Sequence, residues 1–250
     1  DLFGDDSPPP PSAPDQPRAD APLADRLRPR TLDEVVGQDH LTGAEGTIGR
    51  MVTAGKLSSM ILWGPPGTGK TTIARLLADS VGMRFAAVSA VFSGVADLKK
   101  VFAEADKAAQ AGQKTLLFVD EIHRFNRAQQ DGFLPFVERG TVTLVGATTE
   151  NPSFALNAAL LSRAQVLILE RLGHEALGEL LTRAEELEHP LPLTEDARAA
   201  LIASADGDGR FLLNQAETLY NAGLTEPLDP AGLGSFLQRR VAVYDKDRDG

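Results

Sequence analysis

Gly64-Pro65-Pro66-Gly67-Thr68-Gly69-Lys70-Thr71 decides the reading of this 250-residue chain. Two glycines at fixed spacing, followed by Lys and Thr, make the pattern of a loop that cradles phosphate. Glycine lets the backbone curl tightly and aim several N–H groups at one anion. Lys70 brings a point charge to the β- and γ-phosphates, and the Thr71 hydroxyl suits Mg²⁺. The surroundings agree. Met60–Trp63 is a short apolar run expected to be a buried strand, and Thr72–Ala78 has the pattern of a helix leading out. The phosphates then meet a helix N-terminus, whose dipole favours negative charge.

Working outward, a second apolar run, Leu116-Leu117-Phe118-Val119, ends in Asp120-Glu121. Ligands of open α/β sheets bind at the carboxyl ends of strands. Asp120 there suits Mg²⁺ and Glu121 suits the removal of a proton from water, since metal and base both call for carboxylates. Thr148-Thr149-Glu150-Asn151 follows another strand-like run, Thr141–Ala147, and is expected beside Asp120 across the sheet. Ser162-Arg163 ends a helical stretch, Ala155–Leu161. Arg163 and Arg210 suit charge on a transferring phosphoryl group, but a surface arginine fits the same pattern.

Strand-like runs at Met60–Trp63, Phe85–Val88, Thr115–Val119, Thr141–Ala147 and Gln165–Leu169 alternate with helical stretches such as Leu98–Ala111 and Arg127–Glu138. This alternation predicts an α/β fold, a parallel sheet covered on both faces. Beyond Glu170 only helical patterns follow, at about 173–188, 194–205, 209–222 and 230–243. The expected organisation is a Pro/Asp-rich tail over 1–20, an α/β core over 21–169 and a small helical domain over 170–250. Pro8 to Pro11 with Asp1, Asp5, Asp6, Asp15 and Asp20 leave the tail too little apolar surface to fold. Leu2-Phe3 at its tip reads as two stray apolar residues or a docking motif.

The net charge of −10 disfavours non-specific binding to nucleic acid by the chain as a whole. Local basic clusters remain, notably Lys99-Lys100 with Lys107 and Lys114. With no Cys there is no disulfide and no thiolate metal site, and the four His lie at no metal-ligand spacing. No apolar run approaches membrane-spanning length. His123 is expected in a structural role or as a partner contact, Trp63 in the core, and Phe92 is expected to pack. Asp245–Gly250 mimics the opening of a Ca²⁺ loop, but the Glu such a loop needs is not there.

Ile61–Thr72 together with Asp120-Glu121-Ile122-His123-Arg124-Phe125-Asn126 resembles AAA+ ATPases of the clamp-loader branch. More narrowly it resembles the replication-associated recombination protein A family, also called maintenance of genome stability protein A. Pro22-Leu23-Ala24, Arg28-Pro29, Val36-Gly37-Gln38, Thr148–Phe154 and Leu160–Arg163 add to the match, which covers about residues 21–246. The resemblance implies a AAA+ P-loop core with an all-α lid, and ATP with Mg²⁺ as cofactors. Gly64, Pro65, Pro66, Gly67, Thr68, Gly69, Lys70, Thr71 and Thr72 would hold the nucleotide, with Arg28, Pro29, Val36, Gly37 and Gln38 around the adenine. Thr71 and Asp120 would hold Mg²⁺. Thr149 would be the sensor, with Thr148 the fallback, Arg163 the finger reaching a neighbouring subunit, and Arg210 the lid arginine.

It also implies work on DNA (single strands, ends or fork junctions) at stalled or damaged replication forks, a homo-oligomeric ring, and a cytoplasmic, nucleoid-associated location. Replication proteins such as a single-strand binding protein or the sliding clamp are the expected partners, with no membrane. The Ser93–Lys100 stretch is a candidate DNA contact and equally a solvated helix face. A clamp-loader subunit, a Holliday-junction motor and a remodeller of protein partners stay open as alternatives. The family continues into a C-terminal oligomerisation domain, so the chain reads as shortened. Phe92-Ser93-Gly94-Val95 departs from the expected small or polar residue at its first position.

Overall fold

Residues 20–246 are described by the computed structural model. The Pro/Asp-rich stretch 1–19 with Leu2-Phe3, and the end of the charged run 245–250, lie outside the described residues. Five strands carry the core: β1 (Met60–Trp63), β2 (Arg84–Ser89), β3 (Thr115–Asp120), β4 (Val142–Thr148) and β5 (Gln165–Ile168). They form one sheet in the order β2-β3-β4-β1-β5, every pair parallel. The expected α/β class holds.

Thirteen helices are found among the described residues. α1 (Leu23–Arg26), α2 (Asp39–Thr42) and α3 (Thr47–Thr53) precede the sheet; α4 (Lys70–Ser80) and α5 (Val95–Gln110) follow β1 and β2. α6 (Arg127–Asp131) and α7 (Leu134–Glu138) follow β3, and α8 (Pro152–Ala155) and α9 (Ala158–Leu161) follow β4. α10 (His174–Leu187), α11 (Glu195–Ser204), α12 (Gly209–Tyr220) and α13 (Pro230–Lys246) make the helical unit.

The central strands β1, β3 and β4 are buried on both faces, which is why they read as apolar runs rather than alternations, while the edge strands β2 and β5 are more exposed. One face (Met60, Leu62, Leu116, Phe118, Val145) packs on Ile73, Ala74 and Leu77 of α4. The other (Ile61, Leu117, Val119, Leu144) packs on Leu98 and Phe102 of α5 and on Phe133 and Leu160. A third cluster joins Leu177, Leu181, Leu201, Leu212 and Leu219 of the helical unit, and Leu23 of α1 belongs to it. The Leu23 amide donates to Glu217 Oε1 at 2.9 Å, so the segment before the sheet is fastened to the helical unit.

Two helical stretches differ from the sequence reading. Arg127–Glu138 is divided at Gly132-Phe133, where Phe133 turns fully into the core and Pro135 opens the next helix. Ala155–Leu161 is likewise two short helices, because Asn157 starts afresh by accepting the Leu160 amide at 2.9 Å. No helix among the described residues is long and apolar enough to cross a membrane.

Candidate nucleotide site

The strand order builds the site. β4 lies between β1 and β3, so the loop after β1 and the carboxylates after β3 flank the end of β4. Trp63 pairs with Thr148 in register, and the Gly64 amide donates to the Thr148 carbonyl at 3.1 Å.

Within the loop the carbonyls are held by the protein. Lys70 Nζ donates to the carbonyls of Gly64 (2.7 Å) and Pro65 (2.6 Å), and Thr68 Oγ1 donates to Pro65 (2.9 Å). The Gly209 amide donates to the Gly67 carbonyl at 3.0 Å, and Gln38 Nε2 to that of Thr68 at 3.3 Å. The amides of Gly67, Thr68, Gly69, Lys70, Thr71 and Thr72, by contrast, donate to no acceptor among the described residues. A row of donors at the start of α4 with its carbonyls drawn away fits an anion with several oxygens. Gly67 (φ 68°) and Gly69 (φ 100°) occupy the left-handed region that the curl requires. A Cβ on Gly67 would sit 1.7 Å from Asp208 Oδ1, so the loop also needs glycine for the close approach of the helical unit.

Lys70 is 9 % exposed, and burial pushes its pKa below the ordinary lysine value. The charges of Glu121 and Asp120 oppose that shift, while Arg210 adds to it. Lys70, both carboxylates and Arg210 therefore share one electrostatic site. Asp120 Oδ1 accepts the Glu121 amide at 3.1 Å. Glu121 itself departs from the strand. It has φ 52° and ψ 43°, so a left-handed turn, not the pleat, sets its direction. Its Oε2 is 3.3 Å from His123 Nε2.

His123 is nearly buried and links three groups. Its Nδ1 lies 2.8 Å from Thr148 Oγ1, and its Nε2 also lies 3.6 Å from Glu150 Oε1. Thr148 is fully buried and also accepts the Glu150 amide at 3.0 Å, whereas Thr149 is exposed beyond the strand end and makes no such bond among the described residues. The link from β4 to Glu121 thus runs through Thr148, the fallback sensor of the sequence reading, and His123, which that reading gives a structural role or a partner contact.

A cleft of about 340 Å³ opens beside the loop, between it and the helical unit. Such a volume is in the range of small-molecule sites. Arg28, Pro29, Val36, Thr72, Leu213 and Arg210 contribute to its wall, but Gly37 and Gln38 do not. Gln38 acts from behind. It is fully buried, donates to the Glu170 carbonyl at 2.9 Å and accepts the Glu170 amide at 3.1 Å while touching the loop. Gly37 packs on Leu172.

Arg163 stands apart. Its Nε and Nη2 bind Glu138 Oε1 at 2.7 and 2.5 Å, and Nη1 donates to the Ala159 carbonyl and Ser162 Oγ. None of its contacts is with Lys70, Asp120 or Glu121. Sequence reasoning missed Glu138 and Glu170, which carry no motif. It also missed Asp208, whose carboxylate caps α12 by accepting the Phe211 amide at 2.9 Å; an Asp before a helical pattern was the available signal. Phe92, expected to pack, is instead 89 % exposed, because it sits on the turn after β2 rather than under α5.

The residues present suit Mg²⁺. Such an ion is commonly held through one or two carboxylates, waters and substrate phosphates, and the Asp120 carboxylate and Thr71 hydroxyl would supply that modest set. Among the described residues no cluster of three or more His or acidic side chains forms a self-contained metal cage.

Residues 60–172 match the family model of the AAA ATPases, "ATPase family associated with various cellular activities". The chain is 47% identical over 91% of its length to replication-associated recombination protein A of Escherichia coli, and 45% identical over 90% to that of Coxiella burnetii. It covers 54% and 55% of those proteins, about half the length of each. It is 40% identical over 92% of its length to the ATPase WRNIP1 of Dictyostelium discoideum, of which it covers 29%. Among solved structures, the Thermotoga maritima RuvB Holliday junction branch migration motor superposes with a TM-score of 0.66 at 24% identity, over 85% of this chain and 72% of that one. That likeness concerns the fold.

Proposed function

For a chain that carries an AAA domain and is homologous to replication-associated recombination protein A over nine-tenths of its length, we propose a Mg²⁺-dependent ATPase acting on DNA at stalled or damaged replication forks. The nucleotide part is carried by the row of amides from Gly67 to Thr72 that have no acceptor among the described residues while the neighbouring carbonyls are tied back. The fork assignment rests on the homology.

The purine of ATP enters the cleft beside Arg28, Pro29 and Val36, against Leu213 of α12. The loop amides take the phosphates, and Lys70 exchanges the Gly64 and Pro65 carbonyls for phosphate oxygens. Thr71 and Asp120 would hold Mg²⁺, which when bound would neutralise phosphate charge. Glu121 takes a proton from the attacking water, oriented through Thr148 or Thr149. Arg210 approaches from the helical unit, which serves as the lid. Arg163, which makes no contact with Asp120 or Glu121 of its own chain, reaches a neighbouring copy in a ring and there stabilises the charge of the transferring phosphoryl group.

DNA, in the form of single strands, ends or junctions, is the partner whose grip the cycle changes. Single-strand binding protein and the sliding clamp are the proposed protein partners, and the cytoplasm, at the nucleoid, the proposed location. The test is hydrolysis measured with and without single-stranded DNA and DNA ends. Stimulation by DNA is expected. Indifference to every DNA form, with stimulation by a protein partner instead, overturns the substrate assignment.

A further inference from the structure

We propose that Phe92 and Phe154 are a stacking platform for unpaired nucleobases, with Lys99, Lys100, Arg124 and Arg127 as the cations that take the adjoining phosphates. The proposal rests on the DNA reading above and names the contact by which that DNA is held.

The two rings are the most exposed large apolar side chains among the described residues, at 89 % and 90 %. Single exposed leucines need no explanation, but two nearly naked aromatic rings at one edge of a molecule do. Phe92 follows β2 and Phe154 lies in α8 after β4, so both stand at the carboxyl end of the sheet, in loops from the strands on either side of β3. Two strand spacings separate those loops at their roots, about 10 Å. That is roughly the length of three stacked nucleotides at 3.4 Å each.

Neither ring hangs on a slack loop. The amides of Phe92 and Ser93 both donate to the Ser89 carbonyl, at 3.1 and 2.8 Å. The Phe154 amide donates to the Asn151 carbonyl at 3.1 Å, and Asn151 Oδ1 caps the turn through the Ser153 amide at 3.0 Å. Rings fixed on short, bonded turns are displayed at little entropic cost.

The charge between them decides the partner. In a chain of net charge −10, Lys99 and Lys100 on α5 and Arg124 and Arg127 just after β3 are exposed and have no acidic partner among the described residues. Arg84, Arg139 and Arg163, on the same unit, are each paired with an acid. Aromatic rings interleaved with free cations are what a single strand of nucleic acid requires, since every base has a π-face and every step a phosphate. The platform also adjoins the proposed hydrolysis site. Arg124 closes the turn that Glu121 begins, and Phe154 lies a few residues beyond Glu150, which His123 approaches.

The experiment compares an end-labelled oligothymidylate with an abasic oligonucleotide of equal length, by fluorescence anisotropy with ATP present and Glu121→Gln in every protein to prevent turnover. The otherwise unaltered protein is expected to prefer the base-bearing strand by roughly five- to a hundred-fold. Phe92→Ala/Phe154→Ala is expected to erase that preference while keeping nucleotide affinity and Tm, since both residues lie at the surface. Arg124→Gln/Arg127→Gln is expected to weaken both strands alike and to lower the salt slope by about 0.7 per arginine. Equal binding of the two strands by the unaltered protein, or a preference that survives the double Phe variant, overturns the platform and leaves the DNA reading standing. No binding to either strand, or to a duplex, overturns both. Self-association that falls in the double Phe variant while its DNA preference persists assigns the patch to a second copy of the chain and overturns the platform.

Discussion

The backbone amide of Gly209 donates to the carbonyl of Gly67 across 3.0 Å, joining the first residue of α12 to the tip of the phosphate loop. Asp208, one residue earlier, fills the space where a side chain on Gly67 would stand. Loop and lid therefore share a backbone contact one residue from Arg210.

Gly67→Ala tests that contact. An added Cβ meets Asp208 and also forces a non-glycine residue to φ 68°, a strain of about 1–2 kcal/mol before any displacement. We expect nucleotide affinity to fall at least tenfold in equilibrium titration, since about 1.4 kcal/mol suffices for that. Unchanged affinity would show that the lid gives way freely.

Gln38→Ala should act on stability as well as on binding. It removes a fully buried side chain and leaves the amide and carbonyl of Glu170, in a partly buried place, without their partner. A loss of about 1–3 kcal/mol is expected in chemical denaturation. Gln38→Glu should not rescue it, because a carboxylate cannot donate to the Thr68 and Glu170 carbonyls.

Glu121→Gln and Arg163→Ala should each keep nucleotide affinity and lose turnover, by about 10²–10⁴ for the base and 10³–10⁵ for the finger. Mixed together, the two variants should recover part of the wild-type rate, because some interfaces then join an intact Glu121 to a neighbour's intact Arg163. No recovery in mixtures shown by mass measurement to contain both variants would sink the shared site.

Tyr220 offers a check in the lid alone. Its hydroxyl donates to the His189 carbonyl at 2.9 Å, and burial, with Glu185 and Glu188 nearby, pushes its pKa up to about 12. Below pH 10 the phenol is protonated whether the chain is folded or not, and its contribution to stability is fully present. Between about pH 10 and 12 the unfolded chain ionises first, so that contribution is lost. Ultraviolet absorbance should show a tyrosine transition near pH 12 that Tyr220→Phe abolishes.

The central strands were legible because burial on both faces leaves mostly apolar residues between turn signals; Met60–Trp63 is found at the expected bounds. The four lid helices fell within a few residues of expectation, since each has one apolar face and a clear break. What one-dimensional pattern could not carry were relations between distant residues. Gln38 and Glu170, Arg163 and Glu138, and Thr148 and His123 meet only after the sheet is ordered. Phe92 was misjudged for a related reason. An aromatic residue looks like core until its turn is seen to project it into solvent.

The left-handed turn at Glu121 limits which residues that position can accept. Asparagine, aspartate and glycine visit this backbone region readily, whereas valine, isoleucine or threonine would strain it before any chemistry was altered. On the proposed function the position meets two demands, one for a carboxylate and one for a backbone able to bend left. Substitutions there separate the two demands only if the replacement is itself tolerant of the turn.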